Sequence, residues 1–420
     1  MSTDVQEPAT TDAQAPQRNV AIKSIKLTNL LSFGPDSEPL ELGPLNVLIG
    51  ANGSGKSNFI EVLALLGSIP DGRMQDYVTE SGGENQWRWK GASDSPSAVE
   101  LTVLHDAWMH GTYKMYETHK WIHYSLTLNL DDFFGATVST EAVLSDVQGV
   151  EDRPFFYYVN DGEVKRLHSK NKSAAEQKDG STNISSFSSI LAQLNNYASY
   201  PEITALSRTF KGFKIYRDWS FSHTSPVRAP QRTTKPATLL NEDASNLVTV
   251  LNALSNNRKI EDKLNKYIED FYAGAKGVGI EVLSDYIQLV LKEDDFVTPA
   301  SRLSDGTLKW LALLAVLLNS EPPPLICLEE PELGLHPDII PTLAKLLREA
   351  SERSQLIVTT HSRDLVDAFT STPDVVVVCE KEAGATKMRR LPNRDELTAW
   401  LDKFSLGEMW SMNLLGGNRY

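Results

Sequence analysis

The chain has 420 residues, 41% of them hydrophobic, and a formal net charge of −14. That length suits one large α/β domain with insertions, or roughly two to three average domains. The acidic balance excludes a protein coated with nucleic acid but not one with a local basic groove. No apolar segment approaches membrane-spanning length, and the cysteines, Cys327 and Cys379, each sit in an apolar run. Both facts lead to the expectation of a soluble, cytoplasmic chain whose thiols are core residues rather than a disulfide or metal pair.

Residues 1–18 are polar, lack an apolar signal-like core and read as a disordered tail. Ala21–Leu27 alternates like a strand, Gly34-Pro35-Asp36 reads as a turn, and Leu40–Leu42 leads into an apolar strand, Leu45–Ile49. The helical run Asn58–Leu66 comes next. Residues 68–98 are rich in Gly, Ser and Asp and read as a loop. The clean alternation of Tyr124–Leu130 marks a half-buried strand, and 98–167 reads as antiparallel sheet. Residues 169–186 carry little apolar content and read as mobile. The segments 188–210 and 240–275 read as mainly helical, without a sustained heptad or an internal repeat.

The last third alternates helices with wholly apolar strands: helix Leu308–Leu318, strand Leu325–Leu328, helix Ile340–Ala350, then strands Leu356–Val358 and Val375–Val378. That pattern predicts a parallel sheet covered on both faces. A final helix follows Pro392, with Asn393 and Glu396 as its capping box and Leu397, Trp400, Leu401 and Phe404 as its apolar stripe. The expected organisation is a tail over 1–18, a main lobe from 19–167 and 295–420, and a mainly helical inserted lobe over 168–294.

Four sequence features carry chemistry. Gly50-Ala51-Asn52-Gly53-Ser54-Gly55-Lys56-Ser57 lies between a predicted strand and a predicted helix, the context the G-x-x-x-x-G-K-[ST] pattern requires. Its glycines allow a tight turn whose N–H groups face phosphate oxygens, and the helix dipole adds positive potential. Lys56 is the candidate partner of the β- and γ-phosphates, and the Ser57 hydroxyl a candidate Mg²⁺ ligand. The second feature, Leu325–Leu328 followed by Glu329-Glu330, delivers two carboxylates to a strand tip. Ligands of parallel sheets sit at that edge. Glu329 is the candidate metal acid, through water, and Glu330 the candidate general base for the attacking water. For Glu332 a solvated turn acid and a functional acid stand as equal readings.

The third feature is Leu303-Ser304-Asp305-Gly306-Thr307 ahead of a helix, either an ordinary N-cap or a further anion site. The fourth is Thr359-Thr360-His361-Ser362 at the end of the strand Leu356–Val358. A neutral His361 imidazole there suits a sensor of the γ-phosphate or of the attacking water.

Taken in order, GANGSGKS, LSDGT, LICLEEPELGLHP and TTHS resemble the ABC-type ATPase heads of the RecF, SMC and OLD families. The run Ile25–Gly34 is similar to their first strand and turn. The nearest resemblance is to short, stand-alone RecF-like ATPases, from about residue 20 to the end. It includes Arg228-Ala229-Pro230, Asn246-Leu247, Leu406-Gly407-Glu408 and Gly416-Gly417-Asn418-Arg419.

The resemblance implies an α/β P-loop ABC-type ATPase head, with a mostly parallel sheet flanked by helices, an antiparallel β subdomain and a helical insertion. It implies ATP and Mg²⁺ as ligands, ATP hydrolysis, and a head-to-tail homodimer formed on ATP binding. In that dimer Gly50–Ser57, Glu329, Glu330 and His361 of one chain face Ser304 and Gly306 of the other. Gly334–Asp338 takes the place of the loop that links the two sites. Two departures stand out: Glu329 replaces the Asp of transporter ATPases, and the usual metal-sensing Gln has no obvious position.

Spacing separates the related classes. Between Ser57 and Leu303 lie 245 residues, a longer gap than in transporter ATPases and one without the coiled coil of SMC proteins. Only 59 residues follow His361, too few for the nuclease domain of OLD proteins. The expectation is an ATPase that acts on DNA in repair or replication. The alternative is a sensor ATPase of a defence or toxin-type system that controls a separate effector protein.

Residues 208–235 bear on that choice. Arg208, Lys211, Lys214, Arg217, Arg228, Arg232 and Lys235 alternate with Phe210, Phe213, Tyr216, Trp219 and Phe221, with Asp218 opposing. Such a stretch either pairs with phosphates and stacks on bases, or packs its aromatics into the core while the charges are solvated. Arg228 has a third possibility, a nucleotide phosphate. Trp87-Arg88-Trp89-Lys90 is a second, weaker patch.

Overall fold

The computed structural model describes residues 20–91, 96–104, 121–131, 133–148, 154–169, 184–217, 219–232 and 237–417. The expectations for the tail 1–18, for most of 169–186, and for Asp218, Lys235, Asn418 and Arg419 lie outside these residues.

The fold is α/β. Its centre is a six-stranded sheet in the order Ala385–Arg390, Val376–Glu382, Leu45–Ile49, Gln355–Thr359, Leu325–Glu329, Lys214–Tyr216. The last five strands are mutually parallel; the first pairs antiparallel with its neighbour. The parallel strands carry the apolar runs Val47–Ile49, Leu325–Leu328, Leu356–Val358 and Val376–Cys379 because both faces are covered there. Leu325, Cys327, Ile357, Val377 and Leu48 face one core, which they share with helix Lys56–Ser68 and the antiparallel sheet. Ile326, Leu328, Leu356, Val358, Val47 and Ile49 face the other, shared with helices Asp305–Leu317 and Ile340–Ser351. Both cysteines are free and buried, and burial pushes both thiols up, Cys379 to about 12.

The N-terminal half forms a seven-stranded antiparallel sheet: Leu40–Glu41, Ile22–Thr28, Ser97–Leu104, Trp121–Asp131, Gly135–Gln148, Pro154–Asn160, Lys165–Leu167. Its alternating buried and exposed residues follow from one covered face. Among the described residues no helix is long and apolar enough to cross a membrane.

Three expectations need correction. The presumed loop 68–98 carries helices Met74–Glu80 and Glu84–Trp87. They are too short to show a period, yet they bury Met74, Val78 and Trp87. The segment 168–294 does hold helices Pro201–Lys211, Leu247–Ser255 and Arg258–Phe271. However, Lys214–Tyr216 is the edge strand of the central sheet, and Ala275–Leu283 pairs with Tyr286–Glu293 in a separate antiparallel sheet. In the helix Arg394–Leu401 the Asn393 side chain caps Glu396 N–H, but Trp400 is 49% exposed and leaves the apolar stripe. Beyond it lies an unforeseen helix, Leu406–Ser411, closed by a Ser405–Glu408 capping box.

Candidate functional site

The strand Leu45–Ile49 runs straight into the loop Gly50-Ala51-Asn52-Gly53-Ser54, and helix Lys56–Ser68 leaves from Gly55. Gly55 has φ +106°, and a Cβ there would lie 2.2 Å from Thr386 Oγ1. Only glycine allows the hairpin Val376–Arg390 to press on the loop this closely. Thr386 fastens the contact, its Oγ1 lying 3.0 Å from Ser54 O and 2.7 Å from Ser32 Oγ. Lys56 is buried and donates to Gly50 O at 2.7 Å and Ala51 O at 3.1 Å. Burial lowers its pKa from the ordinary lysine value, while the carboxylates of Glu330 and Glu329 oppose that shift.

Parallel register brings the second group to the same edge. Glu329 pairs with Thr359 on the neighbouring strand, and its Oε1 accepts a hydrogen bond from Ser57 Oγ. Glu330 turns out of the strand at φ +45°, a left-handed conformation that costs a non-glycine residue on the order of 1 kcal/mol or more. Its N–H donates to Thr359 O at 3.1 Å, and its carbonyl accepts from Lys309 Nζ at 3.0 Å. His361 Nε2 lies 3.7 Å from Glu330 Oε1. Burial, then the Lys56 charge, lowers the His361 pKa against the pull of Glu330, so the ring is neutral near pH 7.

Glu332 is no solvated acid. Its Oε1 accepts from Thr360 Oγ1 and from His361 N–H at 3.3 Å, while Oε2 is buried without a partner. Burial raises its pKa. The turn from Glu330 to Gly334 is thus held from two sides, by Lys309 of the helix Asp305–Leu317 and by the backbone of His361.

Ser304 and Gly306 stand at the N-terminal end of that same helix, Gly306 close against the Gly334 end of the turn. Ser304 caps that helix through Thr307 N–H at 3.1 Å and is exposed. Neither residue lines the cleft of about 440 Å³ that Ser57, Arg217, Lys309, Glu329 and Glu330 share. The structure gathers Gly50–Ser57, Glu329, Glu330 and His361 at one sheet edge, with Gly306 packed against the Gly334 end of the carboxylate turn and Ser304 exposed at the helix N-terminus.

The core takes up most of the aromatics of the two basic–aromatic patches. Phe210, Phe213, Tyr216 and Phe221 are core residues, and Trp87 is fully buried. Arg228, 6% exposed, donates to the carbonyls of Phe221, Ser222, Ala300 and Leu303 and pairs with Asp305. It braces the segment before the helix Asp305–Leu317 and is not free for a phosphate. Three site residues escaped the sequence reading of the cleft. Arg217 was grouped with the basic stretch, Lys309 sits in an apolar helical run, and Glu332 was undecided. Only register and packing join them to the carboxylates.

The oxygen donors at the Ser57–Glu329 contact suit a hard cation such as Mg²⁺. The sheet-edge loop with inward lysine suits a triphosphate.

A family model described as "AAA domain, putative AbiEii toxin, Type IV TA system" matches residues 45–95 and 124–367. No curated protein matches the chain. Among solved structures, an Smc head bound to the C-winged helix domain of ScpA aligns over 90% of this chain and 99% of its own, with TM-score 0.53 and 14% identity. A Pyrococcus furiosus structure of the Smc head domain with an extended coiled coil, bound to the C-terminal domain of ScpA, aligns over 91% and 99%, with TM-score 0.51 and 13% identity. At such identity the likeness is one of fold.

Proposed function

The chain belongs to this family of AAA domains, and from that premise we propose that it binds ATP with Mg²⁺ and hydrolyses it at a site completed by a second copy of itself. The carrying observation is a division of labour. The loop, the twin carboxylates and His361 converge at one sheet edge, while Ser304 stands exposed at the N-terminus of helix Asp305–Leu317 and lines no part of the cleft of Ser57, Glu329 and Glu330. A head-to-tail pair would bring that N-terminus to the partner's γ-phosphate.

In this reading Gly50–Ser57 cradles the phosphates, and Lys56 exchanges its loop carbonyls for β- and γ-phosphate oxygens. Ser57 and Glu329 hold Mg²⁺, which neutralises phosphate charge when bound. Glu330 takes the proton of the attacking water. Neutral His361, placed by Glu332, orients that water or senses the γ-phosphate.

We place this ATPase in a toxin-type or defence system in which it regulates a separate effector. The family description supports that role. The rival role, a RecF-like clamp on DNA in repair or replication, rests on the family resemblance and on a basic–aromatic stretch of which Phe210, Phe213, Tyr216 and Phe221 are in the core. The test is Glu330→Gln. With ATP·Mg²⁺ it should sediment as a trapped dimer without turnover and carry its effector through purification. A single unchanged mass with and without ATP·Mg²⁺ refutes the shared site; ATP-dependent, salt-sensitive DNA binding restores the rival role.

A further inference from the structure

Arg217 directly follows the edge strand Lys214–Tyr216, where Tyr216 stands level with Leu328. One residue further in that register, Arg217 stands beside Glu329. Tyr216 and Leu328 face one core, and Ile215 and Cys327 the other. Strand alternation therefore sends Arg217 and Glu329 to the same face, the one under helix Lys56–Ser68. The contacts agree. Ser57 of that helix donates to Glu329, and Glu61, one turn on, accepts from Arg217 Nη1. Tyr77 Oη holds the other Glu61 oxygen at 2.8 Å.

The Arg217 side chain is 27% exposed and lines the same cleft as Ser57, Glu329 and Glu330. Among the described residues its Nε and Nη2 have no hydrogen-bond partner. A guanidinium with free donors is a phosphate ligand by geometry as well as charge.

We propose that Arg217 is a catalytic residue acting in cis, which leaves Glu61 as charge develops on the terminal phosphoryl group in transfer from ATP held above Ser57 in its own chain. This rests on the ATPase reading. Water forms a bond to the γ-phosphorus and loses a proton to Glu330. The bond to the β,γ-bridging oxygen breaks, and its electron pair leaves on ADP. Arg217 stabilises the charge that develops on the transferred phosphoryl oxygens.

The test compares full-length Arg217→Ala, Arg217→Lys, Glu61→Gln and Glu330→Gln by steady-state turnover, by binding of ATPγS and by trapping with ADP, Mg²⁺ and aluminium fluoride. Arg217→Ala should lose about a hundredfold in kcat, bind ATPγS like the parent and fail to form the aluminium fluoride complex. Arg217→Lys should recover part of the rate. Glu61→Gln should keep kcat within about threefold, because it frees the guanidinium. Should Arg217→Ala lose its cooperative melting transition, Arg217→Gln provides the same readouts with most of the side-chain volume retained. Equal losses of kcat in Glu61→Gln and Arg217→Ala would make the pair a structural tie and overturn the proposal. So would parental kcat in Arg217→Ala beside an inactive Glu330→Gln. If Glu330→Gln itself turned over like the parent, the ATPase reading would fall instead.

Discussion

Lys309 Nζ lies 3.0 Å from the carbonyl oxygen of Glu330 and 2.8 Å from that of Leu333. The helix Asp305–Leu317 is thereby bonded to the turn that carries the twin carboxylates. The same helix has Ser304 and Gly306 at its N-terminus, so a displacement of that end bears on the Glu330–Gly334 turn through Lys309 and through the Gly306–Gly334 contact. Lys309→Met should leave ATP affinity near parental and lower kcat about tenfold, because the left-handed Glu330 loses its brace. Lys309→Arg should restore much of the rate. A rise in KM at unchanged kcat would contradict this role.

Gly306 faces a backbone wall. A Cβ there would lie 2.9 Å from Gly334 O, which has no flexible end to yield. Gly306→Ala should displace the helix N-terminus against the Gly334 turn. In the Glu330→Gln background, sedimentation should show ATP-induced dimerisation lost while monomer ATP binding persists. A dimer of parental stability would show that this close approach has no part in assembly.

The pH response of His361 has a sign that can be checked. Its folded pKa lies below the ordinary histidine value of about 6.5. In the window between the two values the unfolded chain binds the proton first, so this group removes stability as pH falls through that window. Turnover should persist below pH 6.5 and fail only when the folded ring protonates. NMR titration gives a second check. Lys56→Met should raise the His361 pKa by removing a neighbouring cation, and Glu330→Gln should lower it by removing an anion. Shifts of the same sign in both variants would contradict the arrangement.

Arg228→Ala should destabilise the protein by about 3 kcal/mol, since it strips partners from several buried carbonyls and from Asp305. Urea denaturation measures the change. Unchanged stability with weakened ATP or DNA binding would return Arg228 to a ligand role.

In the antiparallel sheet, Glu141 is fully buried and accepts from Tyr124 Oη at 2.8 Å, Ile190 N–H at 2.8 Å and Ser189 Oγ. Burial pushes its carboxyl up to about 7. Between its unfolded value near 4.3 and that pH the folded state holds the extra proton, so stability declines as pH rises through this window. Glu141→Gln should flatten the decline in denaturation midpoint. An unaltered slope would place the titration on another group.

Much of this protein was legible in its one-dimensional pattern. The phosphate-loop strand, the twin-carboxylate strand and the His361 strand announce themselves because a parallel strand covered on both faces must be apolar throughout, and because its chemistry follows at its C-terminal tip. Glycine at 50, 53 and 55 and lysine at 56 need no tertiary information to be singled out, since backbone freedom and charge belong to residues taken singly. The alternation of Tyr124–Leu130 likewise shows a sheet with one wet face.

Tertiary structure alone decided what depends on neighbours distant in sequence. The short strand Lys214–Tyr216 is defined by its bonds to Leu325–Glu329, not by any period of its own, so Arg217 could not be read as a member of the cleft. The aromatics of 208–221 look alike whether they stack on bases or on one another, and only the covering elements show that Phe210, Phe213, Tyr216 and Phe221 are interior. Trp87 was hidden by its glycine-rich surroundings. Lys309, Glu332 and Arg228 have partners 21 to 77 positions away, and hydrogen bonds of that span leave no local mark in the sequence.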